Sequence, residues 1–161
     1  MAKDWLLKRP RDHYFRGYLG ETALLKRDLA AAESHFRRIL QDDGRNIDAL
    51  NNLAWVLAEQ AKPEAVEVAQ RAVELRPRRA DVVDTLARAL AVNGRLPSAL
   101  ETQRRAVTLS PGMPVLRLHL AELALKSKDY ALARTELDTL SAMGKAFAGQ
   151  EEVWRLRQQL P

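Results

Sequence analysis

Few residues in this chain carry the chemistry of catalysis or metal binding. The three histidines, His13, His35 and His119, are far apart, and none has a second ligand at i+4, where two side chains would share a helix face. The absence of cysteine excludes disulfides, thiolate catalysis and cysteine zinc sites, and leaves the compartment undecided. No glycine-rich phosphate loop, nucleophile elbow or clustered carboxylate pair occurs. Glu151 and Glu152 read as a solvated run at a helix start, where they suit the helix dipole. We therefore expect no enzyme, no metal and no cofactor. What remains is recognition chemistry. Asn51 and Asn52 are adjacent amides in a helical stretch, unfavourable there unless they bond something. Either the backbone of a bound peptide or Asp84 and Thr85 could serve. Asp84 and Arg88, spaced i to i+4, can pair along one helix.

The elements that hold these residues repeat. Ala32, Ala65, Ala99 and Ala133 are spaced by 33, 34 and 34 residues, and Leu19-Gly20, Leu53-Ala54, Leu86-Ala87 and Leu120-Ala121 by 34, 33 and 34. Pro77 and Pro111 keep the same 34-residue step. The missing residue falls between Leu53 and Ala65, in a turn around 60–62, where a deletion disturbs least. Aromatics are only 6% of the chain while Leu, Ala, Arg and Glu dominate, which favours helix over sheet. Apolar residues recur at helical spacing, as in Val83, Leu86, Ala87 and Leu90. First helices are predicted over 12–26, 46–60, 80–92 and 114–127, and second helices over 29–41, 63–76, 97–109 and 130–140. Pro63 and Pro97 suit first turns, where the missing N–H is not needed. Each helix is too short to stand alone in water, so pair must stack on pair. Gly20 and the marker alanines are the small residues that permit close approach.

The ends differ. Residues 5–10 look like the tail of a preceding second helix with its closing proline, so the chain is expected to begin within a longer array. Residues 150–160 read as a capping helix, with Val153, Trp154 and Leu156 or Leu160 covering the last pair and Glu151, Glu152, Arg155 and Arg157 in water. The organisation expected is one domain over 1–161: the tail 1–11, repeats 12–45, 46–78, 79–112 and 113–146, and the cap 147–161.

A 34-residue helix-turn-helix with this Leu-small and Ala pattern resembles the tetratricopeptide repeat. Repeat three carries it as Leu86-Ala87, Leu90, Ala99, Ala106 and Pro111. The resemblance covers nearly the whole chain and implies an all-α, right-handed α-solenoid of antiparallel helix pairs. There are departures. The family's aromatic in the second helix is Ala69 in repeat two and Gln103 in repeat three, expected to loosen those seams. The closing proline is lost in repeats one and four. Asn51-Asn52-Leu53-Ala54-Trp55 followed by Asp84-Thr85-Leu86 resembles a narrower group, the repeat lipoproteins of bacterial exosortase (PEP-CTERM) loci. That likeness implies a periplasmic or envelope location; otherwise the chain would be cytoplasmic.

The family likeness also implies a concave groove lined by first helices. It assigns to the groove Tyr14, Tyr18 and Glu21, then Asp48, Asn51, Asn52, Trp55 and Glu59, then Asp81, Asp84, Thr85 and Arg88, then Leu118, His119, Glu122 and Lys126. Trp55 either faces the groove or packs on the next first helix. Aromatics beside amides and charges are typical of a peptide-binding surface. The function implied is a scaffold that binds a segment of a protein partner, in a bacterial envelope or assembly complex. Gly17, Asp81 and Thr85 stand where the family's carboxylate-binding grooves carry Lys or Arg, so acidic C-terminal tails are not expected as ligands. Two alternatives remain open: a basic face that binds an anionic polymer, nucleic acid or acidic polysaccharide, and self-association through an exposed end. The net charge of +5 is spread along the chain, which reads as an ordinary solvated surface rather than a nucleic-acid patch. No apolar run approaches the ~20 residues of a membrane span.

Overall fold

The structure, a computed structural model, describes residues 2–161, with side chains from Trp5 onward. All regular structure among the described residues is helical. After α1 (Ala2–Lys8) come pairs α2 (His13–Leu25) with α3 (Leu29–Asp42) and α4 (Ile47–Glu59) with α5 (Glu64–Leu75). Then follow α6 (Ala80–Val92) with α7 (Leu96–Leu109), α8 (Pro114–Lys126) with α9 (Tyr130–Ala142), a 3-10 turn (Gly144–Ala146) and α10 (Gln150–Arg157). The architecture is an all-α solenoid of antiparallel helix pairs. It forms two compact units, Met1–Pro77 and Arg78–Pro161. No helix among the described residues is long and apolar enough to cross a membrane.

Local sequence explains where the helices start. The side chains of Asp12, Asp28, Asn46 and Asp129 accept hydrogen bonds from backbone N–H groups three residues on, at 2.9, 3.0, 3.0 and 3.1 Å. Such caps satisfy donors that the first turn leaves without a helical partner. Prolines occupy the first turns of α7 and α8 instead. The predicted first and second helices agree with the observed ends to within two residues, while the capping helix stops at Arg157, three residues short of its predicted end.

The turn inside each pair is one motif used four times. Arg27, Ala61, Gly94 and Lys128 take positive φ of 60, 51, 75 and 60°. The residue after each sends its N–H back to the carbonyl of Ala23, Leu57, Leu90 or Ala124. That is a Schellman closure, which needs a left-handed residue at this point. Only Gly94 is free of the side-chain penalty there. These positions lie eight residues beyond Leu19, Leu53, Leu86 and Leu120, so the missing residue comes after Ala61 rather than within 60–61. The first turn of α5 absorbs it. Ala32, Ala99 and Ala133 donate to the carbonyl four residues back, whereas Ala65 donates three back, to Lys62 at 3.1 Å. A tightened opening turn substitutes for the lost residue.

Ala32, Ala54, Ala65, Ala87, Ala99, Ala121 and Ala133 are all fully buried, and so mark the helix seams. In the first unit α3 lies between α2 and α4, and Phe36 fills the notch at Gly20. Arg37 donates to both oxygens of Glu64 at 2.9 and 2.7 Å and to Glu33 at 2.9 Å, while Lys62 donates to Glu33 at 2.7 Å. This cluster ties α3 to the start of α5. Its effect shows in the carboxylates. Burial pushes Glu33 up, but bonds from Lys62 and Arg37 outweigh it and hold Glu33 below the usual range. Glu64 is held low first by its bond from Arg37.

In the second unit Leu118, Ala121, Leu125, Leu137, Leu140, Val153 and Leu156 form one cluster. α10 therefore covers α8 and α9 through Val153 and Leu156, with Leu160 partly buried beside them. Trp154 does not join them: it is 64% exposed. Leu118 is a core residue and not a groove residue.

Candidate functional site

The first helices of the first unit carry one aromatic face. Tyr14 and Tyr18, one turn apart on α2, are 90% and 59% exposed. Tyr18 is held by stacking on Phe15, with ring centroids 6.2 Å apart at 22°, and Phe15 meets Trp5 at 5.9 Å. Trp5 is fixed in turn by Arg9, 4.2 Å over its ring, and by its indole N–H, which donates to Asp12 at 2.9 Å. The two tyrosines border a recess of about 420 Å³ with Glu21, Asp48 and Asn52 on its walls and Phe36 and Ile39 in its floor. Gly17 opens this floor, since a Cβ there would meet only Ile39 Cδ1, at 3.9 Å.

A second, shallower recess of about 350 Å³ adjoins it, bordered by Leu24, Leu25, Asn51, Asn52 and Trp55. Asn52 belongs to both. Asn51 Oδ1 is buried and accepts no hydrogen bond among the described residues. Leu25 is almost fully exposed.

The second unit brings together a different set. Asp84 Oδ1 accepts from Gln103 Nε2 at 2.6 Å and lies 2.7 Å from His119 Nδ1. Gln103 Nε2 also donates to the carbonyl of Leu116 at 3.0 Å. Above this network lies a cleft of about 140 Å³, bordered by Arg88, Glu122 and Lys126. Thr85 is not on this surface. It is buried, and its hydroxyl donates to the Asp81 carbonyl at 3.1 Å. These described bonds of Asp84 and Thr85 lie inside the second unit.

Sequence reasoning missed the role of Gln103. It is only 1% exposed, and it bolts α7 to α6 and α8 where the aromatic was expected. The substitution joins the seam by hydrogen bonds instead of loosening it. A buried amide whose N–H groups find acceptors is tolerated in such a place.

The environment of His119 gives a sign for pH. Burial favours its neutral form, but the bond to Asp84 and the charges of Asp84 and Glu122 outweigh burial and the opposing charge of Arg88, so its pKa is raised above 6.5. A histidine held charged in the fold stabilises it fully below the unfolded value and loses that contribution as pH rises through the folded value. We expect the excess in Tm of wild type over His119→Asn to be greater near about pH 6 than near about pH 8.5. An excess that grows with pH would contradict the pairing.

Comparison with known proteins follows this geometry. Two tetratricopeptide repeat family models match the chain, over residues 44–114 and 93–160. The type IV pilus assembly protein PilF of Pseudomonas aeruginosa is 30% identical over 118 residues, which cover 70% of this chain and 46% of that protein. The chain thus spans less than half the length of that relative. Among solved structures, a thermophilic tetratricopeptide repeat protein of Thermus thermophilus matches with a TM-score of 0.81 at 20% identity, over 99% of this chain and 87% of that one. The solved P. aeruginosa PilF matches with a TM-score of 0.73 at 24% identity, over 99% and 76%. At such identities the structural likeness bears on the fold alone.

Proposed function

Since the chain belongs to the tetratricopeptide repeat family, we propose that its first-helix face holds an extended segment of a partner protein, in an assembly complex of a bacterial envelope. Members of the family are protein-interaction scaffolds. The assembly setting is supported by the likeness to the P. aeruginosa type IV pilus assembly protein. The observation that carries the groove reading is the pair Tyr14 and Tyr18, set in solvent over a recess they share with Asn52. Exposed aromatics gathered around a concavity mark contact surfaces more than isolated apolar residues do. Asn52, between two recesses, can pair with a peptide backbone through both halves of its amide.

The alternative of an anionic polymer draws less support, because many of the cations are engaged. Arg37, Arg117 and Arg157 pair with Glu64, Glu136 and Asp138.

Tyr18→Ala with Asn52→Ala tests the reading. Recovery of the native partner with the tagged chain is expected to fall by about tenfold or more, an interface-anchor effect, with helicity unchanged. Glu67→Ala, at an exposed position of α5, serves as the control and should capture normally. Undiminished capture by the folded double variant would contradict the groove.

A further inference from the structure

We infer that the shallower recess, bordered by Leu24, Leu25, Asn51, Asn52 and Trp55, takes an apolar side chain of about leucine size from the partner segment. The inference rests on the groove reading above and names the residue type that this part of the groove selects. Leu24, Leu25 and Trp55 are apolar, and the other two bordering residues are neutral amides. The adjoining recess differs, since His13, Glu21 and Asp48 border it. A charged side chain set against Leu24 and Leu25 would lose water with no opposite charge to meet. An apolar side chain has no such penalty, and it takes apolar surface out of water on both sides of the contact.

Leu25 carries the argument furthest. It is the last residue of α2 and is 88% exposed. Single exposed leucines are ordinary, but this one is not isolated. Tyr14, Tyr18 and Leu25 are four and seven residues apart, spacings that return to one side of a helix. All three are exposed, so α2 leaves an apolar stripe uncovered over about three turns. Asn52 borders the recess at each end of this stripe, so one extended segment can lie along both. Asn51 adds an independent observation. Its Oδ1 is buried and accepts no hydrogen bond among the described residues. The terminal torsion of an amide side chain is soft. A turn of the Asn51 amide on binding would let a backbone N–H beside the docked side chain supply the missing donor.

The test uses the full chain, labelled with ¹⁵N, and capped pentapeptides of one Ser/Thr sequence whose central residue is Leu, Gln, Lys or Glu. Backbone amides of Leu24, Leu25, Asn51 and Asn52 report the site. The Leu peptide is expected to shift these amides and to bind about tenfold more tightly than the Gln peptide, with Lys and Glu no better than Gln. Leu25→Ser should bring the Leu peptide to the level of the Gln peptide. Because Leu25 stands in solvent, this variant should keep nearly the wild-type Tm, which separates loss of the contact from loss of fold. Equal binding of the Leu and Gln peptides overturns the apolar assignment, and so does tighter binding of the Lys or Glu peptide. Undiminished Leu-peptide binding by Leu25→Ser overturns it likewise. No shift at these amides with any peptide also overturns it. In each of these cases the groove reading stands if capture of the native partner still depends on Tyr18 and Asn52, and falls with the assignment if it does not.

Discussion

Phe36→Ala is expected to destabilise the first unit by about 3–5 kcal/mol, the range for removal of a fully buried aromatic ring. The ring is 1% exposed and lies in the notch at Gly20, where a Cβ would stand 2.7 Å from both Cε1 and Cζ. α2 and α3 are clamped by the left-handed turn at Arg27, so they can close only part of the void. Gly20→Ala alone should also destabilise, by about 1–3 kcal/mol, because the ring has nowhere to move. In the Phe36→Ala background the same methyl enters the cavity and becomes neutral or helpful. The coupling in this double-mutant cycle should therefore be favourable and large. Urea unfolding of the four proteins measures it. A loss under about 1 kcal/mol for Phe36→Ala would mean that the ring does not hold this seam.

Gln103→Leu is expected to cost about 1–3 kcal/mol although leucine has a similar volume. The loss comes from what is left behind. The buried carbonyl of Leu116 loses its side-chain donor, and Asp84 Oδ1, beside the cleft, loses one of its two described partners. Gln103→Glu should cost more. It sets a second carboxylate where Nε2 now stands 2.6 Å from Asp84, and it can no longer donate to Leu116 when ionised. Thermal unfolding of both variants at neutral pH checks the order. If Gln103→Leu proved as stable as wild type, the hydrogen bonds would contribute nothing beyond volume.

Much of this fold was legible because its markers are local. Asp12, Asp28, Asn46 and Asp129 cap helices by bonds three residues long, and the marker alanines must be small wherever two helices touch. What failed was orientation about the helix axis. Thr85 and Leu118 sit beside the groove positions on their helices, but a fraction of a turn carries them into the seam. Trp154 shares the apolar side of α10 with Val153 and Leu156 on paper, yet the helix settles on those two and turns the indole outward. The 3-10 turn at Gly144–Ala146 precedes this helix, and no residue pattern announced it. Gln103 was noticed as a departure, but its meaning depended on Asp84 and Leu116, both more than ten residues away in sequence. Tyr14, Tyr18 and Asn52 were legible as a set, because α2 and α4 present the same helical face in the same register.

The most direct measurement is site-specific photo-crosslinking in the native host. A photoreactive phenylalanine analogue is placed at Tyr14 or Tyr18 on the first-helix face and, separately, at exposed Glu67 on α5. A partner held by the first-helix face should crosslink from Tyr14 and Tyr18, not from Glu67, and Asn52→Ala should weaken both adducts. Adducts from Glu67 with none from either tyrosine position would contradict it.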